Sequence, residues 1–206
     1  MRGVIHFYAF IFSLLAGAAL IAVAPTPRAL VGVAVYAASL SALLGTSALF
    51  HRVTWSVPAR RWMGRLDHSM ISVLIAGTYT PFGMTAPSGT MAASLLLPIW
   101  LAALAGIALH LFWYDAPKWL SAVAYVATGW LALAAFPGLA DIWGWAPPIL
   151  LLAGGIVYSL GALVYATQRP NPIPHVFGYH EVFHSLVVVA ATAHYCAVAI
   201  MLSPTS

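Results

Sequence analysis

Charge is what this sequence has least of. Only 6% of its 206 residues are Asp, Glu, Lys or Arg, and four of them are acidic, against about 25% charged in a soluble domain. So little charge cannot clothe a water-facing surface. With 63% hydrophobic residues, the chain reads as a multi-pass membrane protein, one integral membrane domain over residues 1–206. A net charge of +4 would suggest nucleic acid if clustered on a soluble face; here it carries topology instead, and no nucleic-acid partner is expected. The single cysteine, Cys196, excludes an internal disulfide and is expected to be a small apolar packing residue.

What is present is a series of apolar runs. Seven can be marked, at 4–24, 29–51, 67–86, 91–113, 117–137, 147–167 and 179–202, each close to the roughly 20 residues a spanning helix needs. The breaks fall at Pro25-Thr26-Pro27, the Arg-rich 52–65, Pro87-Ser88-Gly89, Asp115-Ala116-Pro117, Pro137-Gly138 through Pro147-Pro148, and Gln168 to Pro174, where Pro and Gly stop helices and form turns. Arg2, the first run and Ala22-Val23-Ala24 resemble a signal peptide, but the run is too long for one and Pro25 would follow the cut, so it is taken as a mature helix. Gly154, Gly155 and Gly161 in the sixth run permit close helix contact.

Basic residues orient these runs. With a cytoplasmic N-terminus, the inner side carries Arg2, Arg52, Arg60, Arg61, Arg65, Lys118 and Arg169, and the outer side only Arg28. This asymmetry predicts an all-α, seven-transmembrane helix bundle in the cell inner (plasma) membrane, N-terminus in and C-terminus out. Trp55, Trp62, Trp113 and Trp119 then mark the inner interface, and Trp143 and Trp145 the outer one.

That topology brings polar residues to one depth. Ser47 and His51 end the second helix at the inner side, Asp67 and His68 begin the third, and His180 and His184 begin the seventh. Residues four apart share a helix face, roughly 6 Å from one another, a separation at which two imidazoles can grip one ion. An ionisable residue in the membrane is costly without a partner. The chemical reading is a zinc site held by His51, His180 and His184, since neutral imidazoles suit zinc and three protein ligands leave a position for water. Asp67 then orients the water or acts as general base, and Ser47 is a supporting or oxyanion contact. The alternative is a set of interhelical hydrogen bonds.

His180-Glu181-Val182-Phe183-His184 also matches H-E-x-x-H, in which the glutamate is a metalloprotease base; in that reading Glu181 replaces Asp67. His194, about 21 Å beyond His180 and within roughly 40° of its face, extends a polar path or makes a structural hydrogen bond. His6, His68 and His110 are expected to pack or to support the site, with His68 pointing about 100° away from Asp67. His175 is expected in a solvated loop. Tyr79, Tyr158 and Tyr165 are expected to pack, and Pro81 to kink the third helix while Thr78 or Thr80 satisfies the freed carbonyls.

Ser47-x-x-x-His51, Leu66-Asp67-His68-Ser69 running into Ala76-Gly77-Thr78-Tyr79-Thr80-Pro81-Phe82, Gly129-Trp130, Gly155-x-x-Tyr158-x-x-Gly161 and His180-Glu181-x-Phe183-His184 together resemble the hemolysin III family. That family is the bacterial branch of the progestin and adipoQ receptors, which include the adiponectin receptors. The resemblance spans essentially the whole chain. It implies seven helices, a cytoplasmic N-terminus and a zinc ion near the inner face, bound by His51, His180 and His184, with Asp67 on a zinc-bound water. The receptor branch commonly has glutamine at the position of Glu181, which speaks against Glu181 as an obligatory base. Bacterial relatives usually carry an acidic stretch before the first-helix histidine, where this chain has Met1-Arg2-Gly3. The receptor branch also carries a long soluble N-terminal region not seen in this sequence, so neither feature's role carries over.

The site in the receptor branch and in alkaline ceramidases suggests a zinc-dependent hydrolase of a membrane lipid, acting on an amide bond as in ceramide. The alternatives are a non-enzymatic protein of membrane homeostasis or sensing with structural zinc, the intramembrane metalloprotease, a transporter along the His180 to His194 stripe, and the cytolysin of the family name. A secreted pore former needs a soluble state that these apolar runs forbid.

Overall fold

In the computed structural model, residues 3–131, 136–173 and 176–203 are described, Phe136 by its backbone alone. The predicted loop residue His175 and the basic Arg2 lie outside them. The helices are α1 Val4–Ala22, α2 Pro27–Arg52, α3 Val57–Thr85, α4 Gly89–Phe112, α5 Lys118–Trp130, α6 Phe136–Trp143, α7 Ala146–Thr167 and α8 Tyr179–Leu202. An isolated bridge between Ile173 and Phe177 is the sole β pairing among the described residues.

Helix ends sit where local chemistry puts them. The Thr26 hydroxyl accepts from the Ala29 N–H (3.1 Å), with Pro27 opening α2, and Ser88 accepts from Met91 N–H (3.2 Å) at the start of α4; both satisfy amides that a first turn leaves without partners. Gln168 closes α7 at φ 57.

Five helices, α1, α2, α4, α7 and α8, are long and apolar enough to cross a membrane. Two of the seven marked runs differ from expectation. The Arg-rich 52–65 is not one break. Only Val53–Ser56 leave the helix, and Pro58 then opens α3 ten residues before the marked start, because proline in a first turn costs no hydrogen bond and arginine is a good helix former. In the run marked 117–137, α5 ends at Trp130 after 13 residues, and Pro137 lies in the first turn of α6 rather than in a break.

The bundle buries polar side chains within a mainly apolar core and turns large apolar ones outward. Phe12, Leu15 and Phe112 are 69%, 69% and 89% exposed, while His6, Ser39, Ser72, Thr78, His184 and His194 are buried, as expected of helices facing lipid. Cys196, expected to pack, is exposed instead: it falls on the outward face of α8. Small residues let the helices close. A side chain at Gly17 would meet Ala37, and one at Gly32 would meet Pro81. In α7 the expectation holds for Gly154, which lies against the His194 ring, whereas nothing lies near Gly155. The hydroxyls of Thr78 and Thr80 donate to Leu74 and Ala76 carbonyls, both at 2.8 Å; they flank, and do not bond, the Gly77 carbonyl that Pro81 deprives of a donor.

The first turn of α1, the last turn of α2 and the first turns of α8 meet at one end. At the other end Pro25, Met84, Trp143 and Leu202 line a common cleft. α1 and α8 therefore run in the same sense.

Candidate metal centre

Two helix ends build the centre. The last turns of α2 present Ser47 and His51, and the first turns of α8 present His180 and His184. The entry of α8 is fixed by Glu181, whose Oε2 accepts the Gly178 N–H at 2.9 Å, a carboxylate placed where the helix dipole favours it.

One nitrogen from each of His51, His180 and His184 lies within 4.8 Å of the others. The two Nε2 atoms of His51 and His180 are 3.0 Å apart, and the ring centroids of the three stand 4.5–5.1 Å from one another. Tetrahedral ligation with metal–nitrogen bonds near 2.0–2.1 Å sets ligand nitrogens about 3.3 Å apart. The His51–His180 pair, at 3.0 Å, is close to that separation, and His184, its nitrogen within 4.8 Å of the others, must move inward to reach it. Three imidazoles are a donor set suited to a divalent metal, so the residues present fit an ion.

The structure also brings Ser47 and Asp67 to this place. Both line the cavity of about 160 Å³ that the three histidines share, and Ser47 interacts with the Asp67 carboxylate. Glu181, the rival carboxylate, is not among the residues lining that cavity; it is buried and caps α8.

His6, expected to pack or to support the site, contributes more than its sequence position indicated. Its ring stacks on His184 at 3.8 Å and 6°, and its Nδ1 is 2.8 Å from Ser47 Oγ. With Nδ1–H as donor to Ser47, the serine hydroxyl is left to donate to Asp67. A lone histidine on α1 has no partner at helical spacing; its depth, level with the other inner-end residues, was the signal available.

Beside Asp67 lies a second polar knot. His68 Nδ1 donates to the Gly64 carbonyl at 2.7 Å, and its Nε2 lies 3.0 Å from the Tyr165 hydroxyl. Tyr125 donates to the His68 carbonyl at 3.0 Å, and His110 Nε2 therefore donates to Tyr125, 2.6 Å away. Tyr165, expected to pack, instead ties α7 to α3. Deeper in the bundle, His194 Nε2 donates to the Leu151 carbonyl at 3.1 Å, the structural hydrogen bond expected as an alternative to a polar path.

Comparison with known proteins shows the family of the chain. The Haemolysin-III related family matches residues 1–195. A hemolysin-3 homolog of Bacillus subtilis is 34% identical over 169 residues, covering 82% of this chain and 76% of that protein. Hemolysin-3 of Bacillus cereus is 32% identical, covering 88% and 80%. The human monocyte to macrophage differentiation factor is 25% identical, covering 80% and 67%. No solved structure matches the chain. A helical membrane bundle with a three-histidine cluster at one end, matched along nearly its whole length, belongs to the haemolysin III family, within the progestin and adipoQ receptor superfamily.

Proposed function

We propose that the protein is a zinc-dependent hydrolase of a membrane lipid, with amide hydrolysis as in ceramide the reaction the site suits best. The observation that carries this reading is the convergence of three imidazole nitrogens within 4.8 Å on a cavity that also exposes Asp67 and Ser47. His51, His180 and His184 hold the zinc, which supplies Lewis acidity that activates water and polarises a carbonyl. Asp67 takes the proton of the attacking water and later returns it to the leaving amine. Ser47, which accepts from His6 Nδ1–H, donates its one hydroxyl hydrogen to the Asp67 carboxylate and holds it toward the water. The apolar remainder of the cavity accommodates the lipid chain. The parallel sense of α1 and α8 supports an odd number of crossings, with the centre at the cytoplasmic side of the inner membrane, the N-terminus in and the C-terminus out.

The test is metal content by mass spectrometry on detergent-purified protein, beside a lipidomic screen of ceramides, acyl amides and phospholipids. The expected result is about one zinc per chain, three protein ligands being the open catalytic arrangement, with turnover of one lipid class. Zinc-bound protein that turns over none of them defeats the hydrolase reading.

A second reading is favoured by one contact, the direct 3.0 Å approach of His51 Nε2 to His180 Nε2. One ring donating to the other is a complete interhelical hydrogen bond in its own right. On this reading the protein tunes or senses membrane state and the cluster ties α2 to α8. Asp67→Asn, which spares the three histidines, separates the two: a hydrolase loses about 100- to 10,000-fold in turnover while keeping zinc, and a structural centre keeps its cellular effect.

A further inference from the structure

The same cavity has a second polar end. It runs from the histidine cluster past Leu74, Val126 and Leu151 to Tyr158 and His194. His194 lies ten residues beyond His184 on α8, about 15 Å deeper along the helix. Two polar atoms there are buried with no hydrogen-bond partner: the hydroxyl of Tyr158 and Nδ1 of His194. The Tyr158 and His194 rings are 5.3 Å apart, edge to face. An unpaired polar group in a membrane interior costs several kcal/mol, so two gathered at the end of one apolar cavity point to a ligand group that pairs them.

The donor pattern says which group. Nε2 of His194 donates to the Leu151 carbonyl, and a charged ring at this depth is costly. Its Nδ1 is therefore a bare acceptor, while the Tyr158 hydroxyl donates once and accepts. A ligand carbonyl has no hydrogen for Nδ1. A carboxylate has none either and would bring a charge. A hydroxyl donates to Nδ1 and accepts from a tyrosine, satisfying both.

We infer that Tyr158 and His194 form a hydroxyl-recognition subsite for a lipid chain whose polar head lies at His51, His180 and His184. The preferred ligand class is thus a long-chain amphiphile hydroxylated in its interior. This deepens the proposed function and rests on its placement of the lipid head at the histidine cluster.

The probes are stearic acid and the hydroxystearic acids, with the hydroxyl walked along the chain. Each is titrated against the purified, zinc-loaded, full-length protein by displacement of a fluorescent fatty acid, and zinc content is measured on the same samples. One interior position is expected to bind about tenfold tighter than stearate, the worth of one to two net hydrogen bonds. Tyr158→Phe is expected to reduce that preference to about twofold or less, leaving stearate affinity and zinc content as in wild type. Without ligand this variant is expected to unfold at a higher temperature, because it loses an unpaired buried hydroxyl. Wild-type protein that binds every hydroxy isomer no better than stearate overturns the subsite and leaves the metal centre standing, with an ordered water as the only occupant of the deep end. Protein that holds zinc but binds no fatty acid overturns both the subsite and the lipid reading. Folded protein without zinc removes the head site on which both rest.

Discussion

His180 and His184 at the start of α8 meet other imidazoles, whereas His194, further along the same helix, meets a backbone carbonyl. The two environments share one residue type, one helix and one cavity, yet they ask different things of the ring. At the inner end, nitrogens face nitrogens, an arrangement that a shared proton or a cation suits. At the deep end the ring is fixed as a neutral tautomer with one lone pair left over. A histidine in a membrane is thus informative through what its two nitrogens meet, more than through its depth.

The largest effect that separates these environments is on metal. His184→Ala is expected to abolish zinc binding, as are His51→Ala and His180→Ala, since a catalytic site cannot spare one of three protein ligands. His194→Ala is expected to keep wild-type zinc while losing about 1 kcal/mol of stability with its interhelical hydrogen bond. Metal analysis and thermal unfolding on the same preparations check both. Zinc lost in the His194 variant alone would erase the distinction between the two ends.

A smaller effect is expected from His6, which touches both the cluster and its supports. His6→Ala removes the ring stacked on His184 and the partner of Ser47, and should weaken zinc affinity about 10- to 100-fold, the usual effect of losing a group that orients a ligand. His6→Phe restores an aromatic face for His184 without a partner for Ser47. Competition with a zinc chelator tells them apart: recovery in the Phe variant assigns the effect to stacking, failure to recover assigns it to the hydrogen bond, and wild-type affinity in both makes His6 mere packing.

Much of this was legible in the sequence because it was written at helical spacing. Ser47 with His51, and His180 with His184, each repeat at one turn, and the basic residues ordered the runs so that these pairs met Asp67. His6 was harder to see because it stands alone on its helix and its role depends on how α1 leans on α8. The two misjudged helices have one cause. Arginine reads as a boundary in a hydropathy pattern, yet it favours helix, so α3 starts in the middle of the Arg-rich stretch; and proline reads as a stop, yet Pro137 begins α6. The exposed Cys196 and the hydrogen-bonded Tyr165 failed for another reason: which face of an almost wholly apolar helix turns inward has little signature in its composition.

The glycines of α7 give the smallest and sharpest test of the comparison. Gly154 faces the His194 ring so closely that an added methyl would overlap it, while Gly155 has open space around it and lines the cavity. Gly154→Ala should therefore push His194 off the Leu151 carbonyl and cost about 1–3 kcal/mol, as overpacking does. Gly155→Ala should gain up to about 1 kcal/mol from helix propensity, while its methyl narrows the path between the two polar ends. Thermal unfolding in detergent reads the sign of each change, which composition alone, Gly to Ala in both, makes the same. Equal destabilisation of both variants would mean that α7 packs on α8 along both glycines, leaving no room beside Gly155 for a lipid chain to pass from the histidine cluster to Tyr158 and His194.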